Sequence, residues 1–165
     1  MTVLLSVEGL SKRFSTGGGF IRAADEVSFT IDRGQTLALV GESGCGKSTI
    51  APMVLQLLRP DGGRIIFDDQ EITGKGMRDS AWRRHLSIVF QNPYSSLDPR
   101  MRVKDIVAEP LITANRLKGQ ALNQRVARHL EDVGIAPALM SRFPHEFSGG
   151  QRQRIAIARA LALEP

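Results

Sequence analysis

Three glycines and a lysine lie so close together between residues 41 and 49 that a polyphosphate is the natural object for them to hold. The run is Gly41-Glu42-Ser43-Gly44-Cys45-Gly46-Lys47-Ser48-Thr49, which satisfies the G-x-x-x-x-G-K-[ST] spacing of nucleoside triphosphatases. Gly41, Gly44 and Gly46 let the backbone wrap closely, so that successive N–H groups aim at phosphate oxygens and the following helix offers its positive N-terminus. Lys47 supplies a mobile cation for the β- and γ-phosphates, and the Ser48 hydroxyl is a ligand for Mg2+. Glu42, Ser43, Cys45 and Thr49 complete the stretch that would surround the nucleotide. Both the helix N-terminus and Lys47 favour a thiolate at Cys45, yet no histidine or carboxylate is placed in sequence to act with it. It reads as a small loop residue rather than a nucleophile.

A second cluster, Phe147-Ser148-Gly149-Gly150-Gln151, opens an alanine-rich run through Leu161. Ser148 is placed as an N-cap, and Gly149 and Gly150 again allow an anion to approach a helix N-terminus.

The elements that must position these residues are legible around them. Val3, Leu5 and Val7 alternate, as do Val27, Phe29 and Ile31, and Thr36 to Val40 is a short apolar run bounded by glycines. All three segments are expected to be strands. Ser15 to Gly19 is a loop without an apolar anchor. After Gly41 a helix is expected to about Leu58, kinked or shortened by Pro52, with Arg59-Pro60-Asp61-Gly62-Gly63 as the stop. Arg64 to Phe67 and Leu86 to Phe90 read as further strands. From Val103 onward the pattern turns helical, with Val126, Leu130 and Val133 on one face before Gly134. A last helix runs from Gln151 to about Leu163.

Composition sets the outer bounds. At 165 residues with 42% hydrophobic and 24% charged side chains, the chain has ordinary globular make-up, and one cysteine excludes an internal disulfide framework. A chain of this size buries roughly 70% of its unfolded surface, so it needs no such staples. No run approaches the roughly 20 apolar residues of a membrane span, and the first ten residues lack a basic start followed by an apolar core. The net charge of +5 suits an anionic partner without choosing among nucleotide, nucleic acid and lipid headgroups.

Together the two motifs resemble the nucleotide-binding domain of ATP-binding cassette (ABC) transporters, whose signature is Leu-Ser-Gly-Gly-Gln with Phe sometimes in place of Leu. The resemblance covers nearly the whole chain. It implies an α/β fold of the P-loop NTPase class, with a RecA-like core, an N-terminal antiparallel β-subdomain and an α-helical signature subdomain. The expected divisions are 1–91 for the β-subdomain with the phosphate-loop part of the core, 92–147 for the helical subdomain, and 148–165 for the signature and its helix. It assigns Gln91 as the glutamine that helps organise Mg2+ and the attacking water, on a loop that relays nucleotide state to the membrane subunit. It also asks for an aromatic to stack on adenine; Phe14 fits best, with Phe20 as its rival. The stretch Phe90-Gln91-Asn92-Pro93-Tyr94-Ser95-Ser96-Leu97-Asp98-Pro99-Arg100 is similar to that of ATPases serving oligopeptide, dipeptide, nickel and glutathione importers.

The resemblance further implies a head-to-tail pair of ATPase subunits, homo- or heteromeric. In it, Lys47 and Ser48 hold one ATP, while Ser148, Gly149, Gly150 and Gln151 complete the partner's site. Integral membrane permease subunits would be contacted through the loop around Gln91, with an extracytoplasmic substrate-binding protein acting indirectly. The place of work would be the cytoplasmic face of the inner membrane. Nucleic acid is not expected as a partner, because ABC-type repair and chromosome-organising ATPases carry long heptad coiled coils between the motifs and none lies between Gln91 and Ser148.

The family's general base is not found. An apolar strand ending in Asp-Glu, and then a switch histidine, follow the signature helix in the family, whereas Leu163-Glu164-Pro165 closes this sequence. Ile65-Ile66-Phe67-Asp68-Asp69 has the look of such a strand but precedes Gln91, so it reads as a strand end and turn. Glu164 has no apolar strand before it, and His85, His129 and His145 read as structural or solvent-facing. The expectation is therefore a fragment with an incomplete core sheet, inactive by itself in hydrolysis. The alternative is a non-hydrolysing nucleotide-binding fragment or the product of a decayed gene.

Overall fold

The computed structural model describes residues 2–73, 81–92, 96–115 and 117–165. The chain divides into two units, Met1–Trp82 and Arg83–Pro165.

The first unit is built on a four-stranded antiparallel sheet: β1 (Val3–Thr16), β2 (Gly19–Asp32), β3 (Gly62–Phe67) and β4 (Gln70–Glu71), in the order β2-β1-β3-β4. The expected alternation holds and runs further than expected, because β1 and β2 continue outward to a tight turn at Gly17-Gly18. Cross-strand pairs Leu5 with Phe67 and Val7 with Ile65 are all buried and form the sheet's inner face. After Val7 the register shifts, so the next buried residue is Leu10 rather than position 9. A Cβ on Gly63 would lie 2.5 Å from the backbone oxygens of Glu8 and Gly9, so glycine is what lets β3 start against that shifted segment. Asp68 and Asp69 form the turn into β4 with φ of 49° and 60°, a hairpin geometry that Asp tolerates. The reading of Ile65 to Asp69 as a strand end and turn is therefore correct.

Helix α1 (Lys47–Val54) follows the glycine loop. It is shorter than the expected run to Leu58. Pro52 lacks an N–H for the ladder, and the chain turns at Gln56 with φ of 55°. Leu57 and Leu58 then donate to the Pro52 carbonyl in a closing turn.

Two expected strands are not realised. Among the described residues, Thr36 to Val40 and Leu86 to Phe90 pair with no strand, and the only sheet is antiparallel. A strand is defined by its neighbour's hydrogen bonds, and without one even an apolar run stays exposed: Val40 is 92% accessible and Phe90 44%.

The second unit packs α2 (Val103–Asn115), α3 (Gly119–Asp132) and α4 (Gly149–Leu161) around Leu97, Val107, Leu111, Val126, Leu130, Phe147 and Ile155. Ala156 and Ala158 on α4 and Ala162 at its C-cap are fully buried, and small side chains there let the helices approach closely. The predicted stop of α3 at Gly134 is a paired cap: Gly134 N–H donates to Glu131 O and Ile135 N–H to Leu130 O, both at 2.8 Å.

Candidate nucleotide-binding site

The glycine loop curls around its own lysine. The Lys47 ammonium donates to Gly41 O at 2.7 Å and also to Glu42 O, and it lies 3.3 Å from the Cys45 sulfur. An ammonium ringed by carbonyl oxygens sits where phosphate oxygens could take over as acceptors, without moving it far. Gly46 is the N-cap of α1 with φ of 93°, and no side chain caps that helix. The N–H groups of Lys47 and Ser48 therefore keep their donor capacity for an anion. A Cβ on Gly46 would lie 1.7 Å from the carbonyl oxygen of Ala23 on β2, so only glycine fits where the loop closes against the sheet. Glu42, Ser43, Gly44, Cys45 and Ser48 are exposed, and Thr49 N–H closes the first turn onto Gly46 O at 2.9 Å. Ser48 stands exposed at the helix start.

Both candidate aromatics sit on the β1–β2 hairpin and neither is a core residue. Phe14 is 40% accessible and carries the Lys12 ammonium 5.7 Å from its ring centroid; Phe20 is 76% accessible. Below them Asp61 ties the loop before β3 to β1. It accepts from Lys12 Nζ at 2.8 Å and from Arg13 N–H at 2.7 Å, and these bonds hold its carboxyl below the usual range.

In the second unit the signature residues form a closed cap. Ser148 Oγ accepts from Gln151 N–H at 3.3 Å, while Gln151 Oε1 accepts from Ser148 N–H at 2.9 Å. This reciprocal box fixes the start of α4 and leaves Gly150 with open space around it. The preceding turn is held by Arg152, whose guanidinium donates to Phe147 O at 3.0 Å and His145 O at 3.3 Å. Gln91 is exposed and lines one groove with Phe90, Asn92, Ser96 and Arg159.

Lys47 and its loop thus belong to the first unit, and Gln91 and Ser148 to the second. From the sequence, Arg152 to Arg159 read as solvated or phosphate-facing charge; the structure instead has Arg152 and Arg159 donating to backbone carbonyls. The signal for Arg159 was its place four residues after the buried Ile155, an arginine inside an apolar stripe.

Among the described residues no alternative acid or base constellation competes with this site. Asp68 pairs with Arg33 and Glu164 with Arg125, each at the surface. His145 is exposed and stacked on Phe143, His85 is exposed, and His129 is buried in the helical core. Among the described residues no cluster of His, Cys, Asp and Glu is arranged to hold a metal, and no helix is long and apolar enough to cross a membrane.

Residues 24–165 match the ABC transporter family. The chain is 44% identical to a probable peptide ABC transporter ATP-binding protein of Sinorhizobium fredii, over 98% of its own length and 48% of that protein's. It is 45% identical to an oligopeptide transport ATP-binding protein of Bacillus subtilis, covering 98% of this chain and 54% of the relative. It spans about half the length of the curated relatives it matches. In three dimensions it is similar to the dimeric structure of a bacterial ABC transporter cassette, with a TM-score of 0.89 at 29% identity, over 98% of this chain and 71% of the other. With its lysine-centred glycine loop, its capped Ser-Gly-Gly-Gln helix start and these likenesses in sequence and fold, the chain belongs to the ABC transporter family and has the fold of its ATP-binding, P-loop cassette.

Proposed function

We propose that the chain supplies the nucleotide-gripping part of the ATPase subunit of a peptide-type importer. The observation that carries this reading is the Lys47 ammonium held on the Gly41 and Glu42 carbonyls at the open N-terminus of α1. Phosphate oxygens replace those carbonyls when ATP binds, and Lys47 keeps a full set of acceptors throughout. Gly41, Gly44 and Gly46 present backbone N–H groups to the phosphates, and Ser48, with Gln91, is the proposed ligand of Mg2+. Held there, Mg2+ would supply positive charge to offset that of the phosphates. Phe14 offers a ring for the base, with Phe20 as the second candidate.

Ser148, Gly149, Gly150 and Gln151 face the nucleotide of a second subunit in a head-to-tail pair, so closure of the pair follows the γ-phosphate. The loop around Gln91 carries that state to membrane permease subunits at the cytoplasmic face of the membrane, and a substrate-binding protein acts beyond them. A peptide cargo is supported by the relatives at 44% and 45% identity, which are named as ATP-binding proteins of peptide and oligopeptide transport. These 165 residues include no Asp-Glu pair after the signature helix, so by themselves they bind nucleotide without sustained turnover.

Titration of the chain with a fluorescent ATP analogue and Mg2+ tests the reading. Lys47→Ala is expected to weaken binding by at least about tenfold, the loss of one charge-assisted contact to phosphate. Equal affinity in the two proteins would remove the phosphate loop from the function, and steady phosphate release by the chain alone would overturn the account of turnover.

A further inference from the structure

The groove beside Gln91 contains an arginine with an unusual post. Arg159 stands four residues after Ile155 and three before Ala162, both fully buried, so its stem runs within the apolar stripe of α4. A half-buried guanidinium in such a place is costly unless its donors are satisfied. Among the described residues no carboxylate lies within ion-pair reach of it; its Nη1 donates instead to the backbone carbonyl of Ser96 at 2.7 Å. Ser96 lies five residues after Gln91, and the two share the groove with Phe90, Asn92 and Arg159.

We propose that Arg159 is a positioning residue for the segment that carries Gln91. Its guanidinium pins the Ser96 carbonyl to α4, the same helix whose first turn is capped by Ser148. Arg159 is eleven residues along that helix from Ser148, about 16 Å at 1.5 Å per residue. A rigid helix thus joins the signature turn at one end to the Gln91 segment near the other, and displacement of either is felt by both. The exposed Gln91 side chain stays free to turn toward a ligand while its backbone is anchored beyond it. This inference rests on the proposed roles of Gln91 and Ser148, whereas the anchoring itself does not.

Backbone 15N relaxation on the full 165-residue chain tests it, with Arg159→Met, which keeps the stem and loses the donors, and Arg159→Lys, which keeps one charged donor. In the parent chain the amides of residues 90–92 and 96–98 are expected to be rigid, with order parameters near about 0.85. In the Met variant they fall below about 0.6 while α2 and α3 are unchanged, and Lys restores most of the loss. Order parameters already below about 0.6 in the parent, no change in the Met variant, a uniform loosening of α2, α3 and α4, or no recovery with Lys would each overturn the positioning role. ATP affinity measured on the same samples is a separate reading: a parent chain that binds no ATP sinks the functional proposal and leaves the Arg159 result standing.

Discussion

A side-chain carbon on Gly46 would sit 1.7 Å from the carbonyl oxygen of Ala23, which puts the phosphate loop in direct backbone contact with strand β2. The loop's shape is therefore set by the sheet as well as by its own glycines. Gly46→Ala is expected to destabilise the first unit by about 2–4 kcal/mol, combining a forced backbone shift with a left-handed φ that alanine resists. Gly18→Ala, at a turn with open space around it, should stay within about 0.5 kcal/mol. Urea unfolding of the two variants checks the contrast, and similar losses in both would show that the Ala23 contact does not constrain the loop.

Ser148 serves its helix before it serves any ligand. Removing the hydroxyl in Ser148→Ala breaks the reciprocal cap with Gln151 and should cost about 1 kcal/mol of stability in the helical unit. Ser148→Asp keeps an N-cap acceptor and complements the helix dipole, so stability should hold within about 0.5 kcal/mol. A carboxylate facing a nucleotide repels it, so ATP-induced pairing of two chains is lost in Ser148→Asp. Denaturation curves and sedimentation with ATP read the two effects separately, and ATP-induced pairing by the Asp variant would contradict the proposed place of Ser148.

The hairpin offers two exposed rings, and Phe14, the one on β1, is expected to carry the base. Phe14→Ala should weaken ATP binding by about 3- to 10-fold, in line with one aromatic stacking contact, and Phe20→Ala by less than about twofold. Stability should change little in either case, since neither ring is buried. Competition between ATP and a fluorescent analogue decides it; the opposite order would give the role to Phe20.

His129 makes the helical unit sensitive to acid. It is 6% accessible, its Nε2 has no partner among the described residues, and its Nδ1 is 3.8 Å from Asp132. Burial, and then the Arg125 charge, push its pKa below the ordinary 6.5, outweighing the opposite pull of Asp132 and Glu164. The unfolded chain therefore takes up the proton first. Stability is whole above about pH 6.5 and declines as pH falls below it toward the lower folded-state value. His129→Leu should flatten that slope. Thermal unfolding followed between pH 7.5 and 5, with an unchanged slope in the Leu variant, would assign the acid sensitivity elsewhere.

Much of this molecule is written locally. The 41–49 spacing, the Ser148 cap with its glutamine three residues on, the Gly134 helix stop and the Asp68-Asp69 turn each depend on a few neighbouring residues whose backbone preferences and hydrogen bonds act over short range. Those features appear where the residue types put them.

The tertiary structure decided the rest, because it depends on what lies across the fold. Thr36 to Val40 and Leu86 to Phe90 have strand composition, but a strand requires a partner, and among the described residues neither has one. The same holds at the site. Residue types announced a phosphate loop, yet only packing showed that Ala23 closes it, that Arg159 spends its charge on the Ser96 carbonyl, and that His129 is the buried histidine of the three. Each of these is a contact between residues distant in sequence, or a matter of burial, and no local preference encodes either.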